Sequence, residues 1–233
     1  MSLTNTDIIS IYNSRKTLLE IFSESNNFNN ILMPACLDNY NNFNINEVEA
    51  MAKNNQLDML LESDRDAPIA HNIYVKYMLN KTSNYIPAIK DLVEELFDIE
   101  SILTKKDTLV VIINNEPNDS LLAMLCHLYD NRGIFIVVHN IKRLQRNILK
   151  HKLVPKHSIV HNQPWNDIEG SEDNVSDLEK VMRKYNLKSV SQLPEISRFD
   201  PVALLIELRP GSVCKIDRNS VTSVDSIYYR VCT

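Results

Sequence analysis

The sequence predicts two domains: an N-terminal α/β domain with a βαβαβ core and extra helices, and a small α+β C-terminal domain. Between residues 73 and 138, apolar segments typical of strands alternate with amphipathic helical segments, an order that predicts parallel strand pairing. After about residue 149, short apolar runs are separated by turn residues, as in compact domains with short strands. We therefore assign residues 1–148 and 149–233 to separate domains.

The chain opens with segments of helical periodicity. Apolar residues recur at helical spacing from Ile8 to Phe22, and Thr4 to Asp7 can cap this helix. The Asn-rich stretch 26–46 has weak helix or loop character. A second helix is expected over Glu47–Leu61, with its apolar residues on one buried side.

The βαβαβ core follows. Apolar residues alternate with others from Ile73 to Leu79, which predicts a strand, and Pro87–Phe97 has the pattern of an amphipathic helix. Thr108–Ile113 is a continuous β-branched and apolar run, as expected for a strand buried on both faces. A helix over Ser120–Asp130 and a buried strand over Ile134–Val138 complete the core.

The second domain is predicted from shorter signals. Ser176 and Glu179 form a capping-box pattern, and Asp200 followed by proline has the pattern of a helix start. The expected elements are an extended segment over His151–Val160, a polar loop over 162–174, helices beginning at Ser176 and Asp200, and strands over Val213–Arg218 and Ile227–Val231.

Composition excludes some functions. The net charge is −5 and the pI about 5.7, whereas an autonomous nucleic-acid binder needs a basic excess. A local DNA contact inside a larger assembly remains compatible with this balance. The four cysteines show no Cys-x-x-Cys spacing, so we expect free thiols in a reducing compartment. The first residues do not resemble a signal peptide, and no apolar run approaches membrane-spanning length; we expect an intracellular soluble protein.

No catalytic residue, metal site or cofactor is expected. A metal-dependent nuclease of the restriction type needs an Asp/Glu-x-Lys motif on a strand, and the chain contains none. His151, His157 and His161 lack acidic or cysteine partners at ligand spacing, which favours structural roles. With three glycines in the chain, no Gly-rich phosphate loop is possible.

Three stretches of the C-terminal part match a known family in order and spacing. The first is His151 to His157, with Leu153, Val154 and Pro155 at its centre. The second is Ser191 to Pro194 with Ile196. The third is a longer series of residues: Arg198, Asp200, Pro201, Val202, Ala203, Leu208, Gly211, Val213, Lys215, Ile216, Arg218, Ser220, Thr222, Tyr229 and Arg230.

These stretches resemble the fifth-subunit family of DNA-directed RNA polymerases, which includes the fifth subunit of the eukaryotic enzymes and its shorter archaeal counterpart. The resemblance implies a non-catalytic structural subunit whose C-terminal assembly domain binds the largest polymerase subunit and which contacts other polymerase subunits. It implies interface roles for these residues: Leu153, Val154, Pro155, His157, Asp200, Pro201, Val202, Lys215, Arg218 and Arg230. From strand alternation we expect Lys215, Arg218 and Arg230 to make one side of the sheet basic.

The N-terminal half resembles, more loosely, the extra domain of the eukaryotic subunits. The resemblance implies a jaw-type domain, part of the lower jaw near downstream DNA. The family's DNA-facing Thr-Pro-Ser-Ala turn corresponds to Glu116-Pro117-Asn118-Asp119. Pro117 and Asn118 are therefore the candidate DNA-proximal residues, although the carboxylates beside them would repel phosphate, so we expect a weak or indirect contact.

Departures from the family keep one alternative open. Glu207 stands where the family usually has glycine, and the loop 220–226 lacks the family's glycine and arginine. A free-standing transcription regulator that uses the assembly domain to bind RNA polymerase would show the same motifs. The high Asn and Ile content is typical of an A/T-rich genome, such as that of a protist or a large DNA virus. The expected location is accordingly the nucleus, or a cytoplasmic viral factory and the virion.

Overall fold

The computed structural model describes residues 4–24, 32–64, 71–79, 85–160, 176–218 and 226–233. The chain divides into two compact units, residues 1–147 and 148–233. Each unit contains a four-stranded sheet. The loop expected over 162–174 lies outside the described residues. None of the helices in the described ranges is long and apolar enough to cross a membrane.

The first unit has one mixed sheet flanked by helices, in the strand order β1-β2-β3-β4. Strands β2, β3 and β4 are parallel, and β1 pairs antiparallel with β2. The predicted parallel βαβαβ core is therefore confirmed. Its elements are α1 (Asn5–Glu24), α2 (Pro34–Asn41), α3 (Ile45–Lys53), β1 (Met59–Leu61), β2 (Ile73–Met78), α4 (Ile86–Val93), a π-helix (Glu94–Ile99), β3 (Thr108–Ile113), α5 (Asp119–Arg132), β4 (Phe135–Asn140) and a 3₁₀ turn (Arg143–Gln145).

Every residue of β3 and β4 is buried, as expected for parallel strands covered on both faces. β3 lies inside the sheet, whereas β4 is the last strand in the described order. β4 extends two residues beyond the predicted strand, so that His139 and Asn140 are also buried. Between these strands, α5 begins at its N-cap Asn118 and ends at Gly133, which has a φ of 70°. Glycine tolerates this left-handed conformation and so ends the helix.

The helix predicted over Glu47–Leu61 is wrong in its second half. Helix α3 ends before Asn55, which adopts a left-handed φ of 55°. The Gln56 amide donates to the Met51 carbonyl at 2.9 Å, the hydrogen bond of a helix C-terminal motif. The chain then turns into β1, which satisfies its backbone by pairing with β2. A strand of three residues is too short for its alternation of apolar residues to be distinguished from the helical pattern before it.

A buried arginine joins the N-terminal helices. Arg15 on α1 is 3% exposed, and its Nη1 donates to the Leu57 carbonyl at 2.9 Å. Its guanidinium carbon lies 5.4 Å from the Tyr40 ring centroid and 5.6 Å from that of Phe43. Stacking on aromatic rings offsets part of the cost of removing the charge from water. This position explains why a basic residue interrupts the apolar face of α1.

The second unit has the strand order β5-β7-β8-β6. β7 pairs antiparallel with β5 and β8, and β6 pairs parallel with β8. The two-residue strand β6 was not predicted. The elements are a 3₁₀ turn (Ile148–Lys150), β5 (Lys156–Val160), α6 (Asp177–Lys184), a 3₁₀ turn (Val190–Gln192), β6 (Glu195–Ile196), α7 (Pro201–Leu205), β7 (Val213–Arg218) and β8 (Ser226–Cys232).

This second sheet is covered on both sides. One side, which we call the α7 side, faces helix α7. There Cys214, Ile216 and Cys232 pack with Ala203 and Ile206. The opposite, α6 side contains a smaller cluster of Val213, Val231 and Leu193, joined by partly buried residues that include Leu178 and Leu187. Burial raises the pKa of the Cys214 thiol to about 12 and that of Cys232 to about 11. These thiols are therefore core residues of low reactivity.

Helix α7 carries a cap at each end. Asp200 Oδ1 accepts hydrogen bonds from the amides of Val202 and Ala203 at 2.9 and 3.3 Å. At the other end, Glu207 has a φ of 53°, and the Leu208 amide donates to the Ala203 carbonyl at 2.9 Å. Glu207 thus occupies the left-handed position of a Schellman motif, where glycine is usual.

Candidate subunit interface

An ordered turn precedes β5 and presents an apolar side chain. The Val154 amide donates to the His151 carbonyl at 2.9 Å, and the Leu153 amide donates to His151 Nδ1 at 3.3 Å. Leu153 at the tip is 83% exposed. The expectation that the chain is extended from His151 is wrong, because these hydrogen bonds close a turn and the strand begins at Lys156.

A local hydrogen bond from His157 closes the motif. His157 Nδ1 donates to the Pro155 carbonyl at 2.7 Å. Val154, Pro155 and His157 are all half-buried. The motif therefore fixes the turn through local hydrogen bonds and leaves Leu153 as its most exposed apolar member.

Strand register places this turn beside one end of β7. β5 and β7 are antiparallel, and Lys156 pairs with Asp217. One position further along, Pro155 therefore lies opposite Arg218. On the α7 side, His157 pairs with Ile216 and Ile216 pairs with Tyr228. Tyr228 is 50% exposed.

The prediction that Lys215, Arg218 and Arg230 share one basic side is wrong. Side chains alternate along a strand, so Lys215 and Arg218, three positions apart, point to opposite sides. Arg230 pairs with Cys214 and lies with Arg218 on the α7 side, whereas Lys215 lies on the α6 side and pairs with Tyr229. There its Nζ forms an ion pair with Asp217 at 3.1 Å.

Of the three candidates, Arg218 and Arg230 thus lie on the α7 side, separated along the sheet by the row that contains Tyr228. Arg230 Nη1 donates to the Glu195 carbonyl at 3.0 Å, which holds the side chain over β6. We call the residues Leu153, His157, Arg218, Tyr228 and Arg230 the Tyr228 surface. Tyr228 is not among the interface residues that the resemblance implies, although its alternation with Arg230 places it on the same side of the sheet.

The remaining candidate residues of this unit lie at the start of α7. The carboxylate of Asp200 is used as the helix cap, and Val202 is half-buried. Pro201, at the first helical position, is exposed. Asp200 and Val202 therefore have roles within the fold of this unit. Pro201 is the residue of this group whose side chain a partner can contact.

The candidate DNA-proximal residues lie in the first unit, at the carboxyl ends of the parallel strands. Asn118 Oδ1 accepts from the Leu121 amide at 2.9 Å and so caps α5, while Pro117 is half-buried beside it. Glu116 accepts from Asn140 Nδ2 at 3.0 Å and pairs with Arg143 at 2.8 Å. The repulsion expected between Glu116 and a phosphate is reduced, because Arg143 already balances this carboxylate.

Comparison of the sequence with known proteins shows the family of this chain. It is 36% identical over 88 residues to the DNA-directed RNA polymerase subunit Rpo5 of Staphylothermus marinus, a match covering 81% of that subunit and 38% of this chain. The chain belongs to the RNA polymerase Rpb5/Rpo5 family. The Rpo5 subunits of Methanococcoides burtonii and Thermococcus onnurineus are 37% and 34% identical over 84 and 85 residues; each match covers 36% of this chain and 90% and 87% of the respective relative.

A family model places the resemblance within the second unit. The model for the RNA polymerase Rpb5 C-terminal domain matches residues 171–232, a span that includes α6, α7 and strands β6 to β8. Membership of the Rpb5/Rpo5 family makes this chain a polymerase subunit of a non-catalytic family. Ser220 and Thr222, which contributed to the recognition from sequence, lie outside the described residues.

Proposed function

We propose that this chain is a structural subunit of a multisubunit DNA-dependent RNA polymerase that docks on the largest subunit through its unit 148–233. The unit 1–147 is proposed to form part of the lower jaw, near downstream DNA. Membership of the Rpb5/Rpo5 family is the observation that carries this proposal, since the archaeal relatives are named as polymerase subunits.

The composition of the Tyr228 surface supports a protein partner. An aliphatic side chain that is 83% exposed and a tyrosine that is 50% exposed lie on the same unit as two arginines. Tyrosine and arginine are enriched among the residues that dominate binding energy at interfaces, and leucine supplies apolar area that a partner can bury. Leu153 is held by an ordered turn, so little conformational entropy is lost when it is covered.

The charge of the chain limits the proposed DNA contact. With a net charge of −5, the isolated chain is expected to bind DNA weakly at physiological salt, because non-specific affinity comes from neutralised phosphates. Arg143 lies near the Asn118 turn in space through its ion pair with Glu116, and the neighbouring Lys142 is exposed. In the assembled enzyme Lys142 would add a local positive charge at that edge of the jaw, since Arg143 is balanced by Glu116.

The docking proposal is tested by co-expression of the chain with the other polymerase subunits of its source, followed by purification through the largest subunit. The combined change Leu153→Ser and Tyr228→Ser is expected to lower retention at least about tenfold, which corresponds to about 1.4 kcal/mol. Ile227→Ser is the matched control, since Ile227 is 42% exposed but adjacent to Tyr228 on the same strand and therefore on the α6 side.

Full retention of the double variant would contradict the assignment of the Tyr228 surface, provided that its circular dichroism spectrum matches that of the unchanged chain. Failure of the unchanged chain to co-purify would contradict docking itself. Stoichiometric presence in the purified polymerase is expected. A substoichiometric amount would favour a free-standing regulator that uses the same domain.

A further inference from the structure

The turn that presents Leu153 is locally basic. Residues 148–160 contain Lys150, Lys152 and Lys156 and no aspartate or glutamate, and all three lysines are exposed. The whole chain, in contrast, has a net charge of −5. Among the large apolar side chains that the structure describes, Leu153 is the most exposed, and it therefore lies within a concentration of positive charge.

Two of these lysines are not balanced by the unit itself. Within the described residues, no acidic side chain forms an ion pair with Lys152 or Lys156. Asp217 stands opposite Lys156 in the strand register, but its Oδ1 lies 3.1 Å from Lys215 Nζ. The ammonium groups of Lys152 and Lys156 are therefore available to carboxylates of a partner.

Arg218 adds a further cation at the same end of the sheet. It lies opposite Pro155, one position beyond the pair formed by Lys156 and Asp217, and it is exposed. Its carbonyl accepts from Ser226 Oγ at 2.8 Å, which fixes the backbone at this strand end. No acidic side chain in the described part of the second unit pairs with its guanidinium group.

An exposed leucine bordered by cations fits one kind of partner surface. Leu153 is 83% exposed, and its burial is favourable where apolar groups cover it, which the phosphates of a nucleic acid do not provide. Carboxylates suit the cations, since lysine and arginine form charge-assisted hydrogen bonds with them and arginine can form two in parallel. A second copy of the same turn would bring like charges together.

We propose that the surface of the largest polymerase subunit that covers Leu153 is an apolar pocket bordered by aspartate or glutamate side chains. This inference rests on the proposed function and adds the chemistry of the partner's side of the interface. Leu153 would enter the pocket, and Lys152, Lys156 and Arg218 would lie against the carboxylates at its border. Complementary charge in this arrangement raises the rate of association and disfavours basic partners.

The test measures retention of the full chain in polymerase purified through the largest subunit after co-expression. Lys152→Glu with Lys156→Glu is expected to lower retention at least about tenfold in about 0.1 M salt, and Lys152→Gln with Lys156→Gln to lower it less. In about 1 M salt, where the Debye length is about 3 Å, retention of the three chains should differ by less than about threefold.

The matched control is Lys184→Glu with Lys188→Glu. It makes the same change in net charge at exposed lysines of the second unit, on α6 and just after it, and should leave retention unchanged. Circular dichroism spectra of all variants should match that of the unchanged chain, because each replaced side chain is exposed.

A carbodiimide, which joins an amine directly to a carboxylate, locates the acidic residues of the partner. In the purified enzyme we expect Lys152 or Lys156 to be joined to an aspartate or glutamate of the largest subunit, identified by mass spectrometry. Full retention of the Glu variant, an equal loss in the matched control, links only to a second copy of this chain, or loss of retention after nuclease digestion would overturn the inference. Docking itself would still stand if Leu153→Ser with Tyr228→Ser lowered retention. Absence of the unchanged chain from the enzyme would contradict the proposed function and this inference together.

Discussion

Acidification is expected to destabilise the first unit through a single buried histidine. His139 lies near the end of β4, is 6% exposed and pairs with Ile112 of β3. Burial, with a smaller contribution from the positive charge of Arg143, lowers the pKa of His139 to about 4. The folded unit therefore keeps this imidazole neutral at pH values where an unfolded chain would protonate it.

The size of the effect follows from the two pKa values. The ordinary histidine pKa is 6.5 and the folded value about 4, an interval that corresponds to about 3 kcal/mol at about 1.36 kcal/mol for each pKa unit. Because the folded pKa is the lower one, the unfolded state binds the proton first. The contribution is fully present above pH 6.5, is lost as pH falls, and reaches its lower limit near pH 4.

The assay is amide hydrogen exchange of the β4 backbone across this pH range, corrected for the intrinsic exchange rate at each pH. Val137 in β4 is buried. Because the Ile141 amide donates to the Ile113 carbonyl and amides alternate in direction along a strand, the Val137 amide also points to β3 and reports the opening of the first unit. A His139→Leu variant keeps every carboxylate but lacks the contribution of His139 protonation to the opening free energy. The unchanged chain should lose about 3 kcal/mol more opening free energy between pH 7 and pH 4 than the variant.

His127→Leu is the matched control for replacing a histidine by leucine, because His127 is exposed on α5. If the unchanged chain and His139→Leu lose the same opening free energy between pH 7 and pH 4, burial of a neutral imidazole is not the cause. A steeper loss in the variant would refute the sign of the argument as well.

Substitutions at three further positions test which local contacts stabilise each unit. Glu207→Gly should raise the urea unfolding free energy by about 1–2 kcal/mol, because a left-handed φ is costly for a residue with a Cβ atom; Glu207→Ala keeps that cost and should give no such gain. Asp107→Ala should lower the exchange free energy of β3 by about 2–4 kcal/mol, since its buried carboxylate accepts from the Asn72 amide at 2.6 Å and from the Thr104 amide and hydroxyl at 2.6 and 2.7 Å. Asp107→Asn keeps one acceptor oxygen and should cost roughly half as much. Arg15→Lys should cost about 1–3 kcal/mol in thermal unfolding, because lysine cannot reproduce the planar donor and its stacking on two rings; an unchanged melting temperature would contradict this.

The parts of the fold that were predicted correctly are those with a long, uniform signal. Thr108–Ile113 shows six consecutive β-branched or apolar residues, and this run has few alternatives to a buried strand. Asp200 with its following proline marks a helix start through chemistry that is local in sequence, and the structure confirms it. Such features are set by residues that are neighbours in the chain.

The errors arose where distant pairing decides the structure. Strand β1 exists because β2 provides its hydrogen bonds, and the helical signal in front of it obscured its start. The same holds for β6, whose two residues acquire strand geometry by pairing with β8. The Lys215 error was different: strand alternation places residues 215 and 218 on opposite sides and was applied wrongly, and the pairing of Lys215 with Tyr229 shows the side on which it lies.

The candidate interface residues came from the resemblance, whereas their arrangement is seen in the structure alone. Leu153 was selected by resemblance, but its exposure results from the turn closed at His151, which no periodicity predicts.

Parallel pairing has one more consequence for the first unit. Its three parallel strands each contain six residues, which at about 3.3 Å per residue separate the two rims of the sheet by about 20 Å. The capped start of α5 and the residues that precede β3 and β4 therefore lie at opposite rims of the sheet. A molecule bound at one rim leaves the other rim sterically accessible.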